Sequence, residues 1–334
     1  MRILVVGGAG YIGGITGQYL MQNGHEVVVF DNLSRGHREG VPAGAKFVEG
    51  DMANLADLAH VLDGQNIEAV MHFAALSLVG ESVEHPAKYF RNNVANGLNL
   101  LDVMLRCGVK KFVFSSTAAT YGEPETSPIL EDFPHVPTNP YGESKLAFEK
   151  VLKWYSNAYG LHYASLRYFN AAGASDPLGE DHSPESHLIP VVLEVARGKR
   201  SHITVFGDDY PTPDGTCIRD YIHVKDLASA HLKALLHICE KSENVIFNLG
   251  QGNGASVKEI IDVARKVTGH PIPAQVGPRR AGDPAVLVAS NEKIQKVLGW
   301  KPQFSDLETI IGDAWKWHQA HPNGYERQKS ETRS

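Results

Sequence analysis

The sequence predicts an α/β protein with a doubly wound parallel sheet and a smaller mixed α/β lobe. Two observations support this fold class. Short apolar runs rich in β-branched residues, typical of buried parallel strands, recur at residues 2–6, 26–30, 69–73, 111–115 and 163–166. Amphipathic stretches of helical length separate them, at residues 12–22, 55–62, 87–106 and 141–157. Strands and helices that alternate in this way form a parallel sheet with helices on both faces.

The chain has 334 residues, more than one hydrophobic core usually holds. Its composition changes after about residue 171, because residues 173–186 are rich in Gly, Pro, Asp and Ser. We therefore predict a first domain over 1–171, a second over 172–322 and a flexible tail over 323–334. The second domain is expected to hold a strand at 245–249 and helices near 188–197, 224–237, 257–267 and 307–319. Some of its elements, around 222–250, are expected to be able to pack back on the first domain.

Composition excludes several classes of partner. The formal net charge is −6, so no broad cationic surface is expected and we predict no nucleic-acid partner. No apolar run approaches the roughly 18 residues of a membrane span, which predicts no membrane partner. The three cysteines, Cys107, Cys217 and Cys239, match neither a disulfide framework nor a metal pattern. Free thiols of this kind indicate a cytoplasmic protein.

A glycine-rich motif follows the first predicted strand and opens the first predicted helix. It runs Gly7-Gly8-Ala9-Gly10-Tyr11-Ile12-Gly13, and glycine there lets the backbone turn tightly and approach a pyrophosphate. Asp31 ends the second predicted strand, about 20 residues past the last glycine. Its carboxylate is expected to bind the adenosine ribose hydroxyls and to repel a 2′-phosphate. The motif therefore predicts a Rossmann-type domain that binds NAD, although Arg35 could accommodate a phosphate.

A second motif supplies candidate acid–base groups. Tyr141 and Lys145 lie four residues apart near the start of a predicted helix, so they share one face of it. A cation beside a phenol stabilises the phenolate, which makes Tyr141 a candidate general base. The predicted strand at 111–115 runs on into Ser116 and Thr117. Thr117 therefore lies at the carboxyl end of a strand, where open α/β sheets place their ligands. We expect its hydroxyl to share the proton that moves to and from the substrate.

These motifs, in this order, resemble the extended short-chain dehydrogenase/reductase superfamily. The resemblance is closest to the UDP-glucose 4-epimerase family and extends from residue 2 to about residue 317. The segments that carry it include His72-Phe73-Ala74-Ala75, Asn92-Asn93-Val94, Tyr141-Gly142-Glu143-Ser144-Lys145, Arg167-Tyr168-Phe169-Asn170, Arg219-Asp220-Tyr221-Ile222-His223-Val224 and Arg279-Arg280-Ala281-Gly282-Asp283-Pro284. The block that begins at Arg219 is far more specific than the glycines.

The resemblance implies reversible, NAD-dependent interconversion of UDP-galactose and UDP-glucose. Tyr141 would remove the O4 proton as NAD takes the C4 hydride, with Thr117 as proton relay and Lys145 tuning the phenol. The 4-keto sugar would then rotate and receive the hydride on its other face. The family also implies a homodimer, formed by residues 87–106 and 141–157 of each subunit.

The resemblance further implies two groups of binding residues. The NAD site would include Gly7, Gly10, Tyr11, Ile12, Gly13, Asp31, Asn32, Ser34, Arg35, Asp51, Met52, Phe73, Ala74, Ala75, Ser77, Asn92, Lys145, Tyr168 and Phe169. The UDP-sugar site would include Thr117, Tyr141, Asn170, His187, Leu188, Thr204, Phe206, Arg219, Arg280, Asp283 and Leu287. Asp283 would bind the ribose and the arginines the diphosphate.

Four positions depart from the usual family pattern. Gly14 stands where the family usually has serine, Ser77 where some members have lysine, and His187 where some have asparagine. Leu287 is smaller than the tyrosine that closes the hexose pocket in some members. Activity on UDP-N-acetylhexosamines, UDP-pentoses or UDP-uronates therefore stays open.

Other functions fit the sequence less well. A sugar-nucleotide dehydratase needs an acid and a base where this chain has Ala118 and Ala119. A non-catalytic NAD sensor would not need Tyr141, Lys145 and Thr117 together. We predict no metal, because neither His182 nor His187 follows a recognised ligand spacing.

Overall fold

The computed structural model describes residues 1–280, 283–304 and 306–325. Ala281, Gly282 and residues 326–334 of the predicted tail lie outside this description. The strands are β1 (Arg2–Val6), β2 (Glu26–Asp31), β3 (Lys46–Glu49), β4 (Ala69–His72), β5 (Lys111–Thr117), β6 (His162–Tyr168), β7 (Asn170–Ala172), β8 (Ile203–Phe206), β9 (Ile218–His223), β10 (Val245–Leu249), β11 (Gly254–Ser256), β12 (Ala274–Gly277) and β13 (Val286–Leu287). The helices are α1 (Tyr11–Gln22), α2 (Leu55–Asp63), α3 (Val79–Glu84), α4 (Pro86–Phe90), α5 (Asn96–Arg106), α6 (Pro140–Tyr159), α7 (Leu188–Ala196), α8 (Val224–Lys241), α9 (Val257–Thr268), α10 (Glu292–Leu298) and α11 (Leu307–Ala320).

The predicted doubly wound parallel sheet is confirmed. Seven parallel strands lie in the order β10-β6-β5-β4-β1-β2-β3. One face packs a core that includes Leu20 and Leu235, from α1 and α8. The other face packs a core that includes Leu58, Leu100 and Phe148, from α2, α5 and α6. Burial on both faces explains why these strands are continuously apolar.

Strand β10 and helix α8 belong to the large sheet and its covering layer. Residues 245–249 lie in the region that we expect to be able to pack back on the first domain, and β10 does pair with β6 at the edge of the large sheet. Helix α8 leads from β9 into β10 and packs against α1. The pairing partner of a strand is a long-range property, so the local apolar pattern of β10 does not reveal it.

The helix predicted at 87–106 is interrupted. Helix α4 leads into a single π-helical segment, Arg91–Ala95, before α5 begins. Asn93 lies in that segment, buried, where it accepts a hydrogen bond from the N–H of Leu76 (2.9 Å) and donates to the Leu76 carbonyl (3.0 Å). The amide also donates to Ser144 Oγ on α6 (3.0 Å). The wider turn therefore joins the loop after β4 to the helix that carries the candidate base.

The smaller lobe begins where the large sheet ends. Strand β6 ends at Tyr168 and β7 begins at Asn170, so the chain passes directly from one sheet to the other. Strands β7, β11 and β13 all pair with β9, and β8 pairs with β12. Helices α7, α9 and α11 share the core of this lobe. No helix in the described part of the chain combines the length and apolar character of a bilayer-crossing segment.

Candidate active site

The glycine-rich loop between β1 and α1 is packed too closely for side chains. Gly7 has a φ of +80°, and a Cβ there would lie 2.4 Å from the backbone nitrogen of Ala74. A Cβ on Gly13 would lie 2.3 Å from the Gly7 carbonyl oxygen. Both positions therefore require glycine, and they form a tight turn into the N-terminus of α1, as a dinucleotide site needs.

Gly14 has a packing role of its own. A Cβ at this position would lie 2.4 Å from the carbonyl oxygen of Gly40. The short segment around Gly40 therefore lies directly on the first turn of α1 in this chain. This contact gives a physical reason for glycine where the family usually has serine.

The end of β2 brings together three predicted cofactor residues. Asp31 accepts hydrogen bonds from the backbone N–H groups of Ala9 (3.0 Å) and Leu33 (2.9 Å). Burial raises the pKa of Asp31, and these hydrogen bonds act against that rise. Asn32 donates to the Asp51 carboxylate over 2.8 Å. The carboxylates of Asp31 and Asp51 thus bracket one edge of the site.

Arg35 is already engaged by other protein groups. It donates to the carbonyl of Ser183 (2.9 Å), and its Nη2 lies 3.7 Å from the Glu81 carboxylate. A cavity of about 570 Å³ adjoins it. The lining residues are Ser34, Arg35, Leu76, Lys88, Arg91, Asn92 and Asn96. Sequence motifs missed Lys88, Arg91 and Asn96, because they lie on a helix surface with no motif of its own.

The loop after β4 closes the other side of the dinucleotide site. The N–H groups of Phe73 and Ala74 both donate to the Val6 carbonyl, which holds this loop against β1. The Phe73 ring centroid lies 4.8 Å from that of His231, a buried residue on α8 that the motifs missed. Tyr168 is hydrogen-bonded through its hydroxyl to Ser115 Oγ.

The remaining predicted cofactor residues lie around the same edge of the large sheet. Tyr11 donates its hydroxyl proton to the Gly173 carbonyl over 2.6 Å, which connects the glycine-rich loop to the segment directly after β7. The others are placed as follows: Gly10 caps α1, Ile12 is half-buried in its first turn, Met52 is buried after Asp51, Ala75 and Ser77 lie in the loop after β4, and Phe169 joins β6 to β7.

Tyr141 is brought to Thr117 by close packing at the start of α6. Asn139 caps the helix by accepting from the N–H of Gly142 (2.9 Å). A Cβ on Gly142 would lie 2.5 Å from the Ala119 carbonyl oxygen, so the helix start contacts the turn after β5 directly. Burial raises the pKa of Tyr141, and a side-chain hydrogen bond with Thr117 acts to lower it. The pair can therefore pass a proton at the carboxyl end of β5.

Lys145 lies one turn further along α6, with its side chain buried. Its Nζ donates to the Ser115 carbonyl over 2.7 Å. Burial lowers the pKa of Lys145 to about 7, while the charge of Glu149 acts to raise it. An ammonium held here needs nearby negative charge or backbone oxygens, and both are present.

Glu149 and Arg167 form a buried ion pair behind Lys145. Arg167 Nη2 lies 2.6 Å from Glu149 Oε2, and Ser116 Oγ donates to Glu149 Oε1 over 2.6 Å. Sequence analysis assigned neither charge a role. The available signal was spacing, because Tyr141, Lys145 and Glu149 follow one another at intervals of four on α6.

Several candidate substrate residues contact one another in pairs on the two smaller sheets and the segment before β13. Arg219 of β9 pairs with Leu287 of β13. Asn170 of β7 pairs with Tyr221, two residues further along β9. Arg219 forms an ion pair with Asp283. Arg280 lies over the ring of Phe206, 4.1 Å from its centroid. Thr204 lies two residues before Phe206 on β8.

Asp220, the second residue of the sequence block that begins at Arg219, has a structural role. Its carboxylate is fully buried and accepts from the backbone N–H groups of Gln251, Gly252 and Ala289. Burial raises its pKa to about 6, against the effect of these hydrogen bonds. Successive side chains on β9 point to opposite faces of the sheet, so Arg219 lies in the candidate site and Asp220 holds the surrounding loops.

His187 and Leu188 lie at the start of α7. His187 is the residue before the first turn, and Leu188 packs against the core of the smaller lobe. His187 Nδ1 lies 2.9 Å from the Glu185 carboxylate.

Comparison with known proteins agrees with this geometry. Residues 3–250 match the model of the NAD dependent epimerase/dehydratase family. The UDP-glucose 4-epimerase of Halalkalibacterium halodurans is 57% identical over 328 residues, covering 97% of this chain and 98% of that protein. A crystal structure of a UDP-glucose 4-epimerase has a TM-score of 0.96 at 56% identity, covering 98% of this chain and 100% of that one.

A second solved structure is the UDP-glucose 4-epimerase from Bifidobacterium longum in complex with NAD⁺ and UDP. It has a TM-score of 0.91 at 40% identity and covers 97% of this chain and 100% of that one. The chain therefore belongs to the NAD dependent epimerase/dehydratase family and, within it, to the UDP-glucose 4-epimerases.

Proposed function

We propose that this protein interconverts UDP-galactose and UDP-glucose by NAD-dependent epimerisation at C4 of the hexose. The observation that carries the proposal is the close packing of the start of α6 on the turn after β5, which brings Tyr141 to Thr117 with Lys145 one turn away. The glycine-rich loop and Asp31 suit NAD, because the loop is a tight turn at a helix N-terminus, where backbone N–H groups can bind a pyrophosphate, and the carboxylate disfavours a 2′-phosphate.

Tyr141 acts as the base and then as the acid. NAD, when bound, supplies the acceptor and donor for the C4 hydride. Tyr141 takes the O4 proton, directly or through the Thr117 hydroxyl, and returns it after the keto sugar has turned over. Lys145, when it carries its positive charge, favours the phenolate form of a nearby tyrosine.

The smaller lobe holds the nucleotide end of the substrate. Arg219 and Arg280 supply charge-assisted hydrogen bonds to the diphosphate, and Asp283 accepts from the ribose hydroxyls. Leu188, Asn170, Thr204 and Phe206 complete the UDP site, and His187 precedes Leu188 at the start of α7. A firm grip on UDP leaves the hexose free to rotate between its two orientations, which inversion at C4 requires.

Proton NMR of the anomeric region tests the proposal directly. Purified protein is incubated with UDP-galactose, first without and then with added NAD. We expect UDP-glucose to accumulate until the two sugars reach equilibrium. A parallel tube with UDP-N-acetylgalactosamine reports whether Leu287 leaves room for the larger sugar. An unchanged UDP-galactose spectrum after NAD addition would contradict the proposal.

We further propose that the protein is a cytoplasmic homodimer that serves galactose metabolism. Cys107, Cys217 and Cys239 are all unpaired, as expected in a reducing compartment. Helix α6 leaves Trp154 70% exposed and Tyr159 largely exposed, and a second copy of α5 and α6 would cover them.

Trp154→Glu is expected to convert the dimer into a monomer, because it places a charge in an apolar interface. Light scattering coupled to size-exclusion chromatography measures the mass. Leu236→Glu is the matched control, since Leu236 is an exposed apolar residue on α8 and should leave the mass unchanged. A dimeric Trp154→Glu protein would rule out this face as the interface.

A further inference from the structure

Two histidines and two glutamates converge in the segment that precedes α7. The ligand atoms of Glu180, His182, Glu185 and His187 all lie within 4.8 Å of one another. Spacing alone predicts no metal site here, because the pattern is Glu-x-His-x-x-Glu-x-His and not a familiar helical or Cys/His pattern. The fold of the segment, and not the spacing, produces the cluster.

The separations between the donor atoms suit a small tetrahedral cation. His187 Nδ1 lies 2.9 Å from Glu185 Oε1 and 3.0 Å from Glu180 Oε1. His182 Nδ1 lies 3.0 Å from Glu180 Oε1 and 3.7 Å from Glu185 Oε2. Tetrahedral Zn²⁺ with bonds of about 2.0–2.1 Å separates its ligand atoms by roughly 3.3–3.4 Å. The four measured distances lie on both sides of that value, so only small movements are needed.

The two carboxylates need positive charge. The side chains of Glu180 and Glu185 are only 6% and 8% exposed. Within the described residues, neither forms an ion pair with a lysine or an arginine, and the two imidazoles are their only cationic partners. Buried carboxylates are costly unless paired or bound to metal. One divalent cation would replace the two imidazole protons, which leave to solvent, and would balance both carboxylate charges. The partly exposed histidines leave the cation a route from solvent.

The surroundings hold the ligands in place. Glu185 Oε1 accepts from the backbone N–H groups of Ser186 and His187, both over 2.7 Å, which fixes the orientation of this carboxylate. Asp181 faces away from the cluster, and its Oδ2 accepts from the N–H of Tyr325 over 2.9 Å. His182 Nδ1 is buried and makes no well-oriented hydrogen bond within the described residues. That nitrogen is available as a metal ligand.

We propose that Glu180, His182, Glu185 and His187 bind one Zn²⁺ ion in a closed structural site. Two imidazoles and two carboxylates are a donor set that Zn²⁺ accepts, and four protein ligands leave no position for a reactive water. The ion would tie the segment after β7 to the first turn of α7. It would also support the glycine-rich loop, because the ring of His182 lies 6.3 Å from that of Tyr11.

Cobalt binding to the full-length protein tests the site. Protein stripped with a chelator is titrated with Co²⁺, whose visible absorption is intense in a tetrahedral site, and then with Zn²⁺ as competitor. We expect one Co²⁺ per chain, displaced by one Zn²⁺. Absence of stoichiometric binding, or weak octahedral absorption only, would overturn the proposal.

Variants assign the binding to these residues. His182→Ala should weaken Co²⁺ binding by more than about 100-fold, beyond the effect of losing an outer hydrogen-bond partner. His270→Ala, an exposed histidine outside the cluster, should bind as the unmodified protein does. Equal binding by His182→Ala and the unmodified protein would overturn the assignment.

A second variant covers the case in which His182→Ala fails to fold. Zn²⁺ should raise the Tm of the unmodified protein and should not raise that of Glu185→Gln. An equal rise in both proteins would overturn the proposal. These readouts do not involve turnover, so they are independent of the proposed epimerase activity.

Discussion

Tyr141→Phe is expected to lower kcat by about 10²–10⁴-fold while the protein keeps its NAD. The substitution removes only the phenol oxygen, which is the candidate base at the carboxyl end of β5. The ring remains, so the packing of the first turn of α6 is preserved. Initial rates with UDP-galactose give kcat, and the absorbance of NAD released on denaturation gives cofactor content.

Tyr155→Phe is the matched control for that experiment. Tyr155 lies on the same helix, and its hydroxyl donates to the Asp102 carboxylate at an exposed position on α5 (2.6 Å). The same chemical change should leave kcat unaltered there. If Tyr141→Phe turned over at the unmodified rate, Tyr141 would not be the base. A general loss of activity in both variants would point to helix packing instead.

Arg167→Met is expected to destabilise the protein by about 3–5 kcal/mol, because it leaves the Glu149 carboxylate buried without its partner. The two side chains are only 2% and 4% exposed, and Arg167 Nε also donates to Glu149 Oε1 over 3.0 Å. Arg167 Nη1 donates to the Tyr121 hydroxyl as well (2.8 Å). Methionine fills much of the volume but supplies no donors. Urea unfolding monitored by circular dichroism measures the free energy.

Two comparisons separate the buried charge from general effects. Lys266→Met removes an ion pair with Glu308 whose side chains are both largely exposed, and should cost no more than about 1 kcal/mol. The double variant Arg167→Met, Glu149→Leu should recover much of the loss, since it removes the unpaired carboxylate. A cost for Arg167→Met as small as that for Lys266→Met would contradict the assigned role of the pair.

Local patterns predicted most strands of the large sheet and their alternation with helices along the chain, but not β3 or the order of the strands in the sheet. Helix α6 was predicted at 141–157 and spans Pro140–Tyr159, because its ends carry local signals, Asn139 as a cap and Gly160 as a left-handed stop. The partner of β10 was beyond such patterns. An apolar run carries no local feature that identifies its pairing partner. Strand β10 lies beside β6 in the folded protein, and α8, which precedes it, packs on α1.

The candidate site divides in the same way. Gly7, Asp31, Tyr141 and Lys145 were accessible from the sequence, because each acts through neighbours on one loop or one helix face. Asn93 was missed as a link between the loop after β4 and α6, since its contacts lie 17 and 51 positions away along the chain.

The sequence by itself determined the fold class, the dinucleotide loop and the acid–base helix, because these depend on periodicity and on residues a few positions apart. Only the tertiary structure decided which charges meet across elements, as in Glu149 with Arg167 and Arg219 with Asp283. It also decided that the ligand atoms of the two glutamates and two histidines before α7 lie within 4.8 Å of one another. Such contacts depend on how separate elements and turns pack, a long-range property that no local pattern encodes.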